Sequence, residues 1–210
     1  MPQNTPGRLI TYKKKRDFKQ TSEPSGKIAR PSPEPIFVVQ KHAARRLHYD
    51  FRLEDEGVLK SWAVPKGPSL DPRERRLAVP TEDHPMDYAR FEGVISEGNY
   101  GAGEVIVWDY GTFVNLSHDS KTKKIIPLKE GLRRGHANFW LKGKKLQGAF
   151  VLARIQKTRD GKDAWLLMKI KDKAADLKVN LVKTKPESAL TRGLTIEKLK
   201  KKDKKTSAPK

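Results

Sequence analysis

The feature that most constrains the fold is a series of short apolar or alternating runs separated by glycine and proline. Runs of this length, bounded by turn residues, are typical of an antiparallel sandwich or barrel. None of the segments between them has the length and 3.6-residue period of a crossover helix, which disfavours a doubly wound parallel sheet. We therefore predict a mainly β fold with short helices. The runs are Ile36–Gln40, Leu47–Leu53, Val58–Val64, Arg76–Val79, Gly93–Ile95, Glu104–Trp108, Thr112–Leu116, Ala137–Leu141, Gly148–Ile155 and Trp165–Ile170.

Composition divides the chain into a folded centre and flexible basic ends. Several prolines between residues 19 and 35 favour an extended arm, and the lysine-rich end is typical of a solvated tail. A stretch rich in lysine, glycine and serine, residues 117–135, predicts a long loop or lid. Short helical segments are expected at Lys41–Arg46 and Leu190–Leu199. The predicted divisions are 1–8 (disordered), 9–35 (extended arm), 36–199 (β domain) and 200–210 (disordered tail).

The charge of the chain points to a polyanionic partner. Lys and Arg number 45 against 25 Asp and Glu, a formal net charge of +20, and the excess extends into the central domain. Nucleic acid is the natural partner for such a surface, and the alternative is charge that serves solubility alone. The absence of cysteine excludes a disulfide scaffold, a thiolate zinc site and a cysteine nucleophile. With no apolar run of about 18 residues and no signal peptide, we expect a cytoplasmic protein without membrane contact.

The densest group of chemically capable side chains lies in the run Leu47–Leu53. If this run is a strand, its odd-numbered residues form an apolar face, and His48, Asp50 and Arg52 share the opposite face. A half-buried strand commonly turns such a face to water. Here, however, the face combines an imidazole, a carboxylate and a guanidinium, and His42 lies just across a predicted turn. Two imidazoles and a carboxylate suit an open divalent transition-metal site, beside which Arg52 would clamp a phosphate.

Other segments carry weaker signals. Lys66 ends an apolar run in a turn bracketed by proline and glycine, where a solvated lysine is the simpler interpretation. His84 and Tyr88 are four residues apart and share a face if their segment is helical. We interpret Glu97–Gly103 as a tight corner of the sheet, because a phosphate-binding glycine loop normally precedes a helix. His118 is expected to be a bystander. No phosphate-binding loop, nucleophile elbow or ligase lysine motif is present.

Several long motifs, in order, resemble one known family, the 3′-phosphoesterase domain of bacterial DNA ligase D. The likeness covers roughly residues 9–199. The motifs are Tyr12–Phe18, Thr21–Pro24, Phe37–Leu53 (FVVQKHAARRLHYDFRL), Ser61–Pro68 (SWAVPKGP), Thr81–Tyr88 (TEDHPMDY), Gly98–Asp109 (GNYGAGEVIVWD), Gly143–Leu152 (GKKLQGAFVL) and Trp165–Ile170 (WLLMKI).

The resemblance implies a compact antiparallel β-barrel with a manganese ion in a crevice, other divalent transition metals being alternatives. It implies that His42, His48 and Asp50 are the metal ligands. The arm would belong to the site. The residues implied around the scissile phosphate or in catalysis are Gln40, Arg52, Lys66, His84, Tyr88, Arg16, Asp17 and Glu23.

The implied activity is removal of a 3′-terminal ribonucleotide from a DNA primer strand, followed by removal of the remaining 3′-phosphate. The implied setting is repair by non-homologous end joining, near the nucleoid. The fused ligase and polymerase modules of well-known relatives are absent from this sequence, which is therefore either a stand-alone member or an excised domain. Ligase, polymerase and Ku-like partners would then act in trans, and we expect a monomer. One rival interpretation is a non-catalytic nucleic-acid-binding barrel. Another keeps the enzyme but assigns it a small phosphoester or an RNA end.

Overall fold

Eight antiparallel strands close into a barrel in this computed structural model, which describes residues 7–155 and 163–206, with side chains described as far as Asp203 in the last helix. The order around the barrel is β1-β2-β3-β4-β10-β9-β8-β7, and pairing of β7 with β1 closes it, while β6 and β5 attach to β7 and β3. The strands are β1 (Ile36–Ala43), β2 (Leu47–Asp55), β3 (Val58–Val64), β4 (Arg76–Pro80), β5 (His84–Pro85), β6 (Gly93–Ile95), β7 (Gly103–Asn115), β8 (His136–Gly143), β9 (Gln147–Ile155) and β10 (Ala164–Lys169).

The barrel confirms the mainly β prediction, with two differences in the strands. The two runs Glu104–Trp108 and Thr112–Leu116 form the single strand β7. Gly111 lies within β7 and does not mark a turn. A Cβ at this position would lie 2.1 Å from the carbonyl oxygen of Lys142, so the glycine permits the close approach of β7 and β8. The two-residue strand β5 was not predicted, since it is too short to leave a pattern.

The helices are short and differ from several predictions. Lys41 and His42 lie in β1 instead of a helical turn. The predicted loop 117–135 contains a helix. The helix expected at Leu190–Leu199 begins later and continues through most of the predicted disordered tail. The helices are α1 (Ile10–Lys14), a 3₁₀ helix (Met86–Arg90), α2 (Leu128–Arg134), α3 (Leu181–Thr184) and α4 (Ile196–Thr206).

The predicted ends lie partly outside the described residues, which omit 1–6 and 207–210. Within them, Arg8 pairs with Glu56, and the buried Leu9 leads into α1. No helix in the described part of the chain is both long and apolar enough to cross a bilayer.

Side-chain alternation along β1 and β2 builds two separate interiors. Phe37, Phe51 and Leu53 point into the barrel and join its apolar core, which draws on every barrel strand. The opposite, outer face carries Val38, which packs in a second apolar cluster with Tyr12 of α1 and residues of β3, β7 and the 3₁₀ helix. The N-terminal arm therefore covers the outer face of the barrel at this point, and the polar residues of β1 and β2 lie beneath it.

Candidate active site

The candidate site is a cavity of about 490 Å³ on the outer face of β1–β3, between the N-terminal arm and the turn before β7. Because β2 alternates, its apolar residues enter the barrel core and the polar residues of its other face line this cavity, as the sequence predicts. The lining residues are Arg16, His42, Ala44, Arg45, His48, Asp50, Arg52, Ala63, Thr81, Glu82, His84, Tyr88, Ile95, Tyr100 and Gly101.

Three potential metal ligands converge at one end of the cavity. His42 and His48 are paired directly across β1 and β2, so their rings lie side by side with centroids 4.8 Å apart. His42 Nδ1 is 3.4 Å from Asp50 Oδ2, and His48 Nε2 is 3.6 Å from the same oxygen. One ligand atom from each residue lies within 4.8 Å of the others. Strand pairing thus brings together His42, His48 and Asp50, the set implied by the resemblance.

The outer hydrogen bonds of the two imidazoles determine which nitrogen carries the proton. His42 Nε2 lies 2.8 Å from the carbonyl oxygen of Gly101, and His48 Nδ1 lies 2.9 Å from that of Arg46. Since a carbonyl oxygen only accepts, these nitrogens donate, and the other nitrogen of each ring faces Asp50. A cation that takes the place of any proton on these inner nitrogens would meet an electron pair from each ring and from the carboxylate. The arrangement therefore fits a divalent transition metal, with outer carbonyls orienting the ligands.

The electrostatics keep the carboxylate of Asp50 ionised. Burial disfavours its charge, but Arg52, His42 and His48 outweigh that effect and hold the pKa of Asp50 well below its usual range. For His48, burial likewise opposes the charged form, yet the hydrogen bond and charge of Asp50 raise its pKa above the usual value. An anionic oxygen at the centre of the three ligands is the state that binds a cation.

Arg52 is held rigidly beside these ligands. Its Nε donates to Gln40 Oε1 at 2.9 Å, and its Nη1 donates to Ser61 Oγ at 2.8 Å. Its Nη2 lies 3.4 Å from Asp50 Oδ2. Gln40 is fully buried, and its amide nitrogen donates to the backbone carbonyls of Tyr88 and Phe91. Gln40 therefore orients Arg52 from behind instead of lining the cavity.

His84 is buried between two guanidinium groups. Its Nδ1 lies 2.8 Å from Arg52 Nη1 and 2.8 Å from the carbonyl oxygen of Glu82, while Nε2 lies 3.4 Å from Arg16 Nη2. Burial, followed by the charges of Arg52 and Arg16, holds the pKa of His84 well below 6.5, so its ring is neutral at pH 7. The tautomer of this neutral imidazole decides whether its Nε2 accepts or donates a hydrogen bond.

The N-terminal arm contributes charged groups to the cavity through a buried network. Arg16 Nε donates to Glu23 Oε1 at 2.8 Å, and the hydroxyl of Tyr88 donates to the same oxygen at 2.8 Å. Thr21 Oγ1 donates to the other oxygen of Glu23 at 3.0 Å. Since the only hydroxyl proton of Tyr88 is engaged by Glu23, this residue connects the arm to the crevice wall. The arm is thus a built part of the site.

Three residues that line the cavity, and one that anchors Arg52 behind its wall, were not singled out by sequence reasoning. Glu82 pairs with Lys15 at 2.9 Å and Arg16 at 3.1 Å; burial opposes its charge, but hydrogen bonds from these cations lower its pKa. Ser61 anchors Arg52, and Arg45 and Tyr100 lie in the cavity wall. All four residues lie within the motifs that carry the family resemblance, and that was the available signal. Arg45 and Tyr100 lie in turns, whose direction no periodicity reveals.

Four implied site residues do not line this cavity: Gln40 and Glu23 are buried behind its wall, and two others are exposed to solvent. Lys66 is exposed in the turn after β3, and Asp17 is exposed in the arm. Asp17 Oδ1 accepts from the backbone N–H of Lys19 at 3.0 Å, and its carbonyl oxygen accepts from Gln20 and Thr21. Asp17 therefore shapes the turn that leads to Glu23. His118 is exposed on the distant loop, where its Nδ1 faces the carbonyl oxygen of Leu116.

Comparison with known proteins finds a family model that covers the strands carrying His42, His48, Asp50 and Arg52. The model for the DNA ligase D 3′-phosphoesterase domain matches residues 40–154. The multifunctional non-homologous end joining protein LigD of Pseudomonas aeruginosa is 49% identical over 195 residues, covering 91% of this chain and 22% of that protein. LigD of Mycobacterium bovis is 40% identical over 172 residues, covering 79% of this chain and 20% of that protein. The chain spans about a fifth of the length of these curated relatives.

Proposed function

Because the chain belongs to the DNA ligase D 3′-phosphoesterase family, we propose that it is a manganese-dependent hydrolase that repairs the 3′ ends of DNA. Water cleaves the last phosphodiester, so that the 3′-terminal residue leaves as a ribonucleoside and the primer keeps a 3′-phosphate; a second hydrolysis releases inorganic phosphate and leaves a 3′-hydroxyl. One observation carries the proposal. Potential ligand atoms of His42, His48 and Asp50 converge in a cavity whose next wall residue is the buried cation Arg52.

In this proposal His42, His48 and Asp50 hold a manganese ion, although another divalent transition metal would suit the same donors. When bound, the ion supplies Lewis-acid stabilisation of the charge on a phosphoryl oxygen. Arg52 supplies a second, fixed positive charge. Its bonds to Gln40 and Ser61 preorganise the guanidinium, so no reorganisation is needed as charge develops on the phosphoryl group.

His84 is the candidate for proton transfer or direct contact with the phosphate. Its neutral ring can donate from Nε2 when Nδ1 accepts from Arg52, and can accept at Nε2 when Nδ1 donates to Glu82. Arg16 contacts the same nitrogen and adds charge from the arm. Gln40, Tyr88 and Glu23 act as positioning residues. Proposed roles for Lys66 and Asp17 in catalysis rest on the family resemblance alone.

The proposed substrate is a primer–template or duplex end, held by the basic surface without regard to sequence. The names of the relatives place those proteins in non-homologous end joining, and we propose the same setting for this chain. We propose that ligase, polymerase and Ku-like activities join the end that this domain processes; the chain matches about a fifth of the length of those relatives. We expect these partners to act on the end that this domain releases.

The test uses a 5′-labelled primer–template that ends in one 3′-ribonucleotide, incubated with manganese or with chelator and resolved on a gel. Stepwise conversion to a 3′-phosphate and then a 3′-hydroxyl, abolished by chelator and by His42→Ala, is expected. A free nucleoside 3′-phosphate assayed in parallel separates a DNA-end enzyme from a general phosphoesterase. An intact primer combined with a mobility shift would contradict the proposal and favour a non-catalytic nucleic-acid-binding barrel.

A further inference from the structure

A second groove adjoins the crevice, and one exposed aromatic ring lies between the two. This groove, about 600 Å³, is lined by residues of α1 and of the segment that follows β4, including Arg8, Lys15 and Asp83. Thr81, Glu82 and Tyr100 line both the groove and the crevice. A ligand group in the crevice therefore has a continuous path into the groove, and that path passes Tyr100.

Tyr100 is an aromatic residue of the crevice wall that is half exposed to solvent. The residue keeps 49% of its accessible surface, although it lines the crevice. Lys15 Nζ lies 4.3 Å from its ring centroid and donates to its hydroxyl at 3.1 Å, and the Arg16 guanidinium lies 5.7 Å from the same centroid. The ring is thus flanked by cations, and much of its surface remains open to a planar partner.

The position of Tyr100 is fixed by the metal site itself. The carbonyl oxygen of the next residue, Gly101, faces His42 Nε2 at 2.8 Å. Gly98 and Gly101 have φ angles of 86° and 78°, a region in which glycine is favoured, so the turn holds a defined shape. A ring held in this way loses little conformational entropy on stacking, which is the use made of aromatic side chains in single-strand binding.

We propose that Tyr100 is a base-stacking residue, which binds the base of the nucleotide that carries the scissile phosphate on its 3′ oxygen. This inference rests on the proposed function and specifies how that site recognises its substrate. In both proposed reactions the phosphate that reacts begins on the 3′ oxygen of the same nucleotide, so one stacking position serves both. Every base has a π face, and recognition by stacking requires no particular sequence. The groove into which this nucleotide extends is lined by charges of both signs, with Lys15 paired to Glu82 and Arg8 to Glu56, so stacking and not net charge carries the recognition.

The test combines Tyr100→Leu with removal of the base. Two primers end in a 3′-phosphate, one on thymidine and one on an abasic tetrahydrofuran residue at the same position. On the thymidine end, Tyr100→Leu is expected to lower kcat/KM by about 5- to 150-fold, mainly through KM. On the abasic end, wild type and variant are expected to converge. Tyr100→Phe keeps the ring and should stay close to wild type on both ends.

An equal loss on both ends in Tyr100→Leu would overturn the inference, because it would show that the residue acts through the turn and His42 and not through the base. A Phe variant as impaired as the Leu variant would also overturn it, since the hydroxyl bond to Lys15 would then carry the effect. If wild type hydrolyses neither primer, the proposed function itself fails. Manganese binding by Tyr100→Leu, measured by calorimetry, should equal that of wild type.

Discussion

Two regions of this molecule bury charged side chains, and they differ in whether these side chains face a cavity or the backbone. In the crevice, potential ligand atoms of His42, His48 and Asp50 converge, and Arg52 adjoins them in the cavity wall. Inside the barrel wall, Asp109 is fully buried, but its oxygens accept backbone N–H groups of residues 144–146 at 2.8–3.0 Å. Lys145 nearby donates to the carbonyl oxygens of Lys185 and Glu187.

The pKa values express the same difference. Burial raises the pKa of Asp109 to about 6, whereas cationic and imidazole neighbours hold that of Asp50 well below its usual range. Burial likewise lowers the pKa of Lys145 to about 8. The comparison teaches that a buried charge marks a candidate site where its atoms face a cavity beside further potential ligands, as Asp50 does beside His42 and His48. Among the described residues, Asp109 faces no such group, and it stabilises the β8–β9 turn through backbone N–H groups.

The largest effect is expected from Asp50→Asn. The substitution preserves volume but removes the negative charge at the centre of the ligand set, so we predict a loss of turnover of at least about 10³-fold, the scale of several kcal/mol of transition-state stabilisation. Initial rates of 3′-phosphate release from a primer measure it. Asp109→Asn serves as the matched control at a buried carboxylate outside the crevice. Comparable loss in both variants would remove the distinction between the two regions.

A smaller effect is expected from Glu23→Gln. Glu23 accepts from Arg16 and Tyr88 at one oxygen and from Thr21 at the other, and an amide in its place keeps one acceptor and removes the negative charge that pairs with Arg16. Arg16 would shift relative to the phosphate, for which we predict a loss of up to about 10²-fold in kcat. Glu54→Gln is the control, because Glu54 is also buried and also holds the arm, accepting from the backbone N–H groups of Ser32 and Ile36. Equal loss of kcat in the two variants at matched folded fraction would show that the general attachment of the arm sets kcat and that the contact of Glu23 with Arg16 has no special role.

For Asp109→Asn the expected effect is on stability. A folded-state pKa of about 6 exceeds the value of about 3.9 in an unfolded chain, so the folded protein binds this proton more tightly. The contribution of Asp109 to the free energy of unfolding therefore decreases as pH rises from about 4 to 6, by up to about 3 kcal/mol. The difference between wild type and variant in urea unfolding should be larger at pH 4.5 than at pH 7. A difference independent of pH would contradict the assignment.

The smallest effect concerns the basic surface. Helix α4 lies at the end of β7 that is nearest to His42. There Lys200 forms an ion pair with Glu104 at 3.6 Å, and Glu104 is the strand partner of Ala43, the residue after His42. We predict that Lys198→Gln with Lys201→Gln reduces the slope of log Kd for duplex DNA against log salt by about 1 to 2.

The matched control is Lys121→Gln with Lys124→Gln. These exposed lysines lie in the loop that follows β7. Measured along the strand at about 3.3 Å per residue, the end of β7 that precedes this loop is roughly 35 Å from the end beside α4. Their substitution should leave the salt slope unchanged. Equal effects of the two pairs would mean that DNA binds the whole basic surface without regard to the crevice.

Sequence alone predicted the strands and the ligand face because both depend on local alternation. The period of two in β2 separates Phe51 from Asp50, and the barrel confirms that separation. The helix α4 was not predicted to extend into the lysine-rich tail, because its attachment to β6 and β7 depends on tertiary packing of residues such as the buried Ile196. The contact of Glu82 with Arg16 spans 66 residues and has no sequence period.

Manganese binding tests the central claim most directly. Calorimetric titration of the metal-free protein with manganese should show one site in wild type and in Asp109→Asn, and none in Asp50→Asn at the same protein concentration. Circular dichroism confirms that each variant is folded. Stoichiometric binding that survives in Asp50→Asn, or its absence from wild type, would contradict the claim that the open groups of the crevice form a metal centre.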